Sequence, residues 1–194
     1  MLLPESQGKT QIMVVVDLFT KMADFMGLHK NVTAKDIAAT FLREVWKLNG
    51  LRTEIISDMD AKFSGEFWDS LCKMLGVKRR MSMPYPPQAA GHTERTNQVL
   101  EGYLRTFVNY NQDDCYQLLP LVEHAYNNSA TNAHKMTPFF ANYGFHPHPE
   151  SMKEREAHNP GATMYAHWMQ YIYQEAKQTL KKTRESMKKY YHLK

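Results

Sequence analysis

At 194 residues, 43% of them hydrophobic and 23% charged, the chain is sized for one well-buried domain plus an appendage. No apolar run nears the ~20 residues that span a bilayer, the Met1–Ser6 opening is too quickly polar for a secretion signal, and Cys72 and Cys115 lack metal-ligand spacing, so a reduced intracellular compartment and no structural zinc are the expectation. The formal charge of +4 is uneven: residues 177–194 hold seven Lys/Arg against Glu185, a net of +6 on a body of −2, which suits a nucleic-acid partner as readily as a solvated helix face.

Gln11 to Val16 is a β-branched run ending at Asp17, and Met22 to Leu28 is a second extended stretch, so a hairpin is expected. Thr33 and Asp36 form a capping-box pair for a helix with Ile37, Phe41, Val45 and Leu48 at helical spacing, stopped by Asn49-Gly50. A short strand, Glu54 to Ser57, leads into Asp58. Ser64 is the expected cap of a helix carrying Phe67, Trp68, Leu71, Cys72, Met74 and Leu75, and Val77 to Met81 follows as a strand. Pro84 to Gly91 is a loop. Helices are expected at about 93–110 and 116–127, and Pro138 to Pro149 reads as irregular.

The compact domain is thus expected over 1–149, with a linker at 150–161 and a basic helical tether at 162–194. That last helix is too polar to form a core alone and is expected to project or to pack on something outside the domain. The element order gives an α/β fold with a mixed sheet, antiparallel at the hairpin and crossed over by helices elsewhere.

Two carboxylates stand out. Asp58 follows a strand, at the edge where open α/β sheets place ligands. Glu94 begins a helix on which Asn97, Gln98, Glu101 and Arg105 share its polar face, opposite Val99, Leu100, Tyr103 and Phe107. Hard oxygen ligands of this kind hold divalent metal against phosphate. On spacing alone, an acid that favours a helix N-terminus explains Glu94 as well.

The local wording adds to the spacing. Residues 55–68 and 85–100, including Tyr85-Pro86-Pro87-Gln88 and Thr93-Glu94-Arg95-Thr96-Asn97-Gln98, resemble the catalytic core of retroviral-type integrases, most closely those of gypsy-type LTR retrotransposons. Thirty-five residues separate Asp58 from Glu94, as in that family's Asp-Asp-(35)-Glu triad on an RNase H-like fold. The resemblance continues through Val14-Val15-Val16-Asp17, Ala125-Tyr126-Asn127-Asn128-Ser129 and Asn142-Tyr143-Gly144-Phe145-His146-Pro147.

It implies a polynucleotidyl transferase of DNA integration, with Asp58 and Glu94 as catalytic ligands for Mg²⁺ or Mn²⁺. Tyr85, Gln88, Asn97 and Gln98 would border nucleic acid, and Lys181, Lys182, Lys188 and Lys189 would meet its phosphates. DNA is the implied partner, with RNA the alternative, in a homo-oligomer when part of a full integrase and with nuclear residence. Pro86, Ala89, Ala90 and His92 depart from the family's usual residues in the loop before Glu94, which bears on DNA positioning more than on metal binding.

The first triad Asp is expected just ahead of Met1, because Met1–Gly8 resembles the segment immediately C-terminal to that Asp in the family. Glu5 is expected past the strand end, and Asp17 resembles a hairpin-turn Asp that is not a ligand, leaving it only a substitute role. The expected function is therefore an integrase-like DNA-binding core, inactive alone. An active core using Asp17, a non-catalytic nucleic-acid-binding remnant and an RNase H-like nuclease are the alternatives.

Overall fold

Three antiparallel strands form the first layer of the computed structural model, which describes residues 2–50, 53–57, 65–81, 90–108, 114–131, 135–147 and 159–191. Asp58, Ser64, Tyr85, Gln88 and most of the expected linker lie outside the described residues. β1 (Leu2–Ser6) turns back through Gln7-Gly8, both at positive φ, into β2 (Lys9–Val16), and β3 (Ala23–Leu28) pairs along β2 from Gln11↔Leu28 to Val16↔Ala23. Glu5 is therefore inside a strand, not past its end; the turn at Gln7-Gly8 lets β1 continue through Ser6.

β4 (Glu54–Ser57) and β5 (Lys78–Met81) form a separate parallel pair, joined through α2 (Glu66–Met74). Among the described residues, the antiparallel and parallel parts of the expected mixed sheet are two separately hydrogen-bonded groups of strands. Parallel strands need such a crossover, and a helix supplies it.

The helices follow local chemistry. α1 (Ala34–Phe41) starts on the expected capping box: the Thr33 hydroxyl accepts from the Asp36 N–H, and the Asp36 carboxylate accepts from the Thr33 N–H at 2.9 Å. The rod runs on through a π-helical segment, Leu42–Trp46, and Lys47–Asn49, then stops at Gly50 with φ of +68°. α2 begins at Gly65 with no side-chain cap. Its apolar set is only partly inward: Trp68 and Cys72 are buried, whereas Phe67, Met74 and Leu75 are exposed, as is Leu48 on the preceding rod.

α3 (Ala90–Phe107) and α4 (Cys115–Asn127) match the expected helices to within a few residues. Residues 138–143, read as irregular, form α5 (Pro138–Tyr143). Thr137 caps it by accepting from the Phe140 N–H at 3.1 Å, Pro138 takes the first turn, and left-handed Gly144 ends it. The dense prolines and aromatics mask a complete start and stop signal.

The β1–β3 sheet has a core on each face. Ile12, Ala23 and Phe25 pack with α3 and α4, and Met13, Met26 and Leu28 pack with Ile37 and Val45 of the α1 rod and Trp68 of α2. α6 (Pro160–Tyr191) does not merely project: Ile172 and Leu180 are buried with Leu100, Tyr103 and Val122, and the Tyr103 hydroxyl donates to the Ile172 carbonyl at 3.4 Å. Two well-spaced apolar residues suffice to dock a helix whose average composition is polar.

Gly27 marks the tightest crossing. A Cβ there would lie 2.5 Å from the Tyr116 ring at the start of α4, so Gly27→Ala should cost ~1–3 kcal/mol by overpacking. Urea unfolding checks this. The same substitution in a Tyr116→Ala background should cost much less, and an equal cost in both would reject the steric explanation.

Candidate functional site

The site is built on α3, and a buried contact sets that helix's rotation. Thr96 is buried and its hydroxyl lies 3.0 Å from the Tyr126 hydroxyl of α4, while Val99, Leu100, Tyr103 and Leu104 fill the core. This turns Glu94, Gln98 and Arg105 to solvent, with Asn97 and Glu101 half-buried beside them. The polar face expected from helical spacing is the one observed. Arg105 reaches back to Glu101 at 3.9 Å, a surface pair of small energetic weight.

Glu94 and Asn97 border a cleft of about 550 Å³ whose other walls include Asp17 and Ser57. Ser57 ends β4, one residue before Asp58. The cleft therefore gathers the polar face of α3, the Asp17 turn and the end of the strand that leads into Asp58. Asn97 Oδ1 is buried without a hydrogen-bond partner among the described residues. An orphaned buried acceptor costs ~1–3 kcal/mol, so it marks a place where a ligand or ion-bound water would gain.

Asp17 faces the cleft but serves its own turn. One carboxylate oxygen accepts from the Phe19 N–H at 2.9 Å and the other from the Thr20 hydroxyl at 3.1 Å. The Asp17 carbonyl also accepts from the Lys21 N–H at 2.8 Å, where Lys21 has φ of +65°. This is an Asx-type turn, and drawing the carboxylate onto a metal would break it.

Magnesium demands several oxygen donors in near-octahedral array. Glu94 and Asn97 have the right chemistry, yet no group of three or more His, Cys, Asp or Glu among the described residues could hold a metal. The described donors alone do not make a metal site.

On α6, Lys181 and Lys182 are exposed, and Lys188 and Lys189 continue the helix.

Sequence reasoning misses two features, one buried and one half-buried. Asn127 clamps Ala23 through both its amide atoms, at 2.9 and 2.8 Å. Glu123 accepts from the Phe25 N–H at 2.7 Å, and burial pushes its carboxyl up to about 7, with Asp24 and Glu44 adding to the shift. Asp24, on the cleft wall, is pushed up to about 6 by burial. Asn127 lies within a stretch that carries the family resemblance; nothing local in the sequence points to Glu123.

No model of a known protein family matches the chain. The Tf2-3 and Tf2-4 transposon polyproteins of Schizosaccharomyces pombe are each 32% identical to it over 197 aligned residues, covering 99% of this chain and 14% of the polyprotein. Among solved structures, the bovine immunodeficiency virus (BIV) integrase catalytic core aligns with a TM-score of 0.57 at 21% identity, over 72% of this chain and 89% of that one. The chain is similar to one segment of the Tf2 transposon polyproteins and has the fold of integrase catalytic cores. Two further structures share its RNase H-like fold. The HTLV-2 integrase catalytic core in complex with magnesium, in trimeric form, aligns with a TM-score of 0.56 at 18% identity, over 73% of this chain and 90% of that one. A chain of the simian T-cell lymphotropic virus intasome in complex with PP2A regulatory subunit B56 gamma gives 0.59 at 18% identity, over 81% of this chain and 55% of that one. The chain spans 14% of the length of the curated relatives it matches.

Proposed function

We propose that this chain is the DNA-binding core of an integrase-type polynucleotidyl transferase and that it joins no DNA strands by itself. The observation that carries this is the cleft where Glu94, the orphaned Asn97 acceptor and the β4 end before Asp58 converge. Asp58 and Glu94 are the proposed ligands of Mg²⁺ or Mn²⁺. The likeness to an HTLV-2 core in complex with magnesium supports the metal, and that core's trimeric and dimeric forms support self-association. The Asp17 turn speaks against a substitute third carboxylate, since both its side-chain oxygens are engaged.

A strand-joining assay with the purified chain, duplex DNA and Mg²⁺ or Mn²⁺ should give no turnover above Glu94→Gln. Clear turnover abolished by Asp58→Asn would overturn the inactive reading, and loss with Asp17→Asn as well would favour the substitute ligand. DNA binding should remain. Each phosphate contact contributes about −0.9 to the slope of log affinity against log salt. Lys181→Glu with Lys182→Glu should therefore make the slope shallower by about 2 in an anisotropy titration. An unchanged slope would remove α6 from the DNA interface.

A further inference from the structure

The first half of α6 carries no Asp, Glu, Lys or Arg from Pro160 to Gln174, yet it is not a buried segment. Tyr165 is 61% exposed and Tyr171 62%, with Trp168 exposed between them, although Ile172 belongs to the core. The docking of α6 through Ile172 and Leu180 does not account for a cluster of large rings left in water. The second half of the helix has the opposite character, with Lys177, Lys181 and Lys182 exposed.

One row of side chains joins the two halves. Residues three apart form a continuous ridge on a helix. Tyr165, Trp168, Tyr171, Gln174 and Lys177 are such a row, and all five are exposed. Each step rises ~4.5 Å, so the three rings occupy ~9 Å of the axis and the lysine follows ~9 Å further on. Both ends of the row are packed on neighbouring rings. Tyr165 and Trp168 lie 5.4 Å apart at 34°, and the Lys177 ammonium sits 6.0 Å from the Tyr173 ring centroid. No carboxylate falls on the ridge. Glu175 is half-buried beside it, where its charge acts on Tyr103, and Glu185 lies about two turns past Lys177.

We infer that this ridge binds an unpaired DNA strand, its bases stacking on Tyr165, Trp168 and Tyr171 and its phosphates meeting Lys177 and Lys181. The inference rests on the DNA-binding reading and adds to it the state of the strand. An aromatic ring stacks on any base whose face is open, whatever the base, whereas a duplex keeps those faces closed. Gln174, between the rings and the cation, offers a base edge both a donor and an acceptor. The charge of the second half completes the match, because phosphates pair with lysines that stand in line with the rings. A neutral apolar partner would use the rings alone and leave the adjoining cations without a counter-charge.

The test measures the full chain by fluorescence anisotropy against a labelled oligothymidylate of about ten nucleotides and an abasic strand of the same length. The two strands carry equal phosphate charge, so the difference between them reads stacking. The parent chain should bind the thymidylate at least about fivefold more tightly. Tyr171→Ala should erase most of that preference with the salt slope unchanged, and Tyr171→Trp should keep it. Lys177→Gln should do the reverse, keeping the preference while making the slope shallower by about 0.7. Equal affinity of the parent chain for both strands, or a preference that survives Tyr171→Ala combined with Trp168→Ala, overturns the proposal. Self-association in sedimentation without DNA, abolished by Tyr171→Ala, would assign the rings to a second copy of the chain and overturn it too. The duplex salt slope of the Lys181 and Lys182 variant is a separate measurement, so DNA binding through α6 can stand while the stacking ridge falls.

Discussion

Asn127→Ala is expected to lower the unfolding free energy by ~2–5 kcal/mol, one of the largest losses available from a single side-chain truncation in this fold. Asn127 is the last residue of α4 and is buried. Its Oδ1 accepts from the Ala23 N–H and its Nδ2 donates to the Ala23 carbonyl, so one side chain satisfies both backbone groups of a fully buried residue at the start of β3. Alanine leaves two buried peptide groups unpaired at ~1–3 kcal/mol each. Aspartate keeps an acceptor but loses the donor and adds a buried charge, so Asn127→Asp should be no milder. Urea titration measures both variants. A loss below ~1 kcal/mol for alanine would mean that water replaces the clamp.

The effect reaches the site through one residue. Tyr126 neighbours Asn127 and holds Thr96, and Thr96 sets which side of α3 faces the cleft. A loosened α4 end therefore loosens the placement of Glu94 and Asn97. The Ala125–Ser129 stretch, which carries part of the family resemblance, has structural roles here: Asn127 clamps β3, Tyr126 orients α3, and the Ser129 hydroxyl donates to the Ala125 carbonyl at 2.8 Å.

What the sequence makes legible is what local chemistry dictates. The Thr33–Asp36 capping box, the β2–β3 hairpin and the polar face of α3 depend on residues within a few positions of one another, and each is observed as expected. The separation of β4–β5 from the β1–β3 sheet is not legible, because strand neighbours depend on contacts distant in sequence. The docking of α6 is hidden for a related reason. Ile172 and Leu180 are eight positions apart in a polar helix, and only the groove beside Tyr103 and Val122 makes them core residues. Glu94 is legible in its place; the orphaned Asn97 oxygen depends on how deep the cleft is.

Glu123 and Asp24 should make the protein less stable as pH rises, contrary to the usual effect of native-state carboxylates. Their carboxyls are raised in the fold, Glu123 from 4.5 to about 7 and Asp24 from 3.8 to about 6, with burial the leading cause in both. The folded state then binds more protons than the unfolded chain between about pH 4 and 7, and stability falls wherever the folded state holds the excess. Their contribution is fully present below about pH 4 and is lost as pH climbs through 6 and 7. At ~1.4 kcal/mol per pH unit, the Glu123 shift alone has a ceiling of roughly 3 kcal/mol. The Phe25 N–H bond opposes the shift and the charges of Asp24 and Glu44 reinforce it, so the two acids titrate as a linked pair. Glu123→Gln retains an oxygen acceptor for the Phe25 N–H without an ionisable proton. Urea midpoints at pH 5, 6, 7 and 8 should fall steadily for the parent chain and much less for Glu123→Gln, with Glu123→Gln plus Asp24→Asn flatter still. At pH 8 the single variant should be the more stable protein; a flat parent profile would show that water reaches both carboxylates.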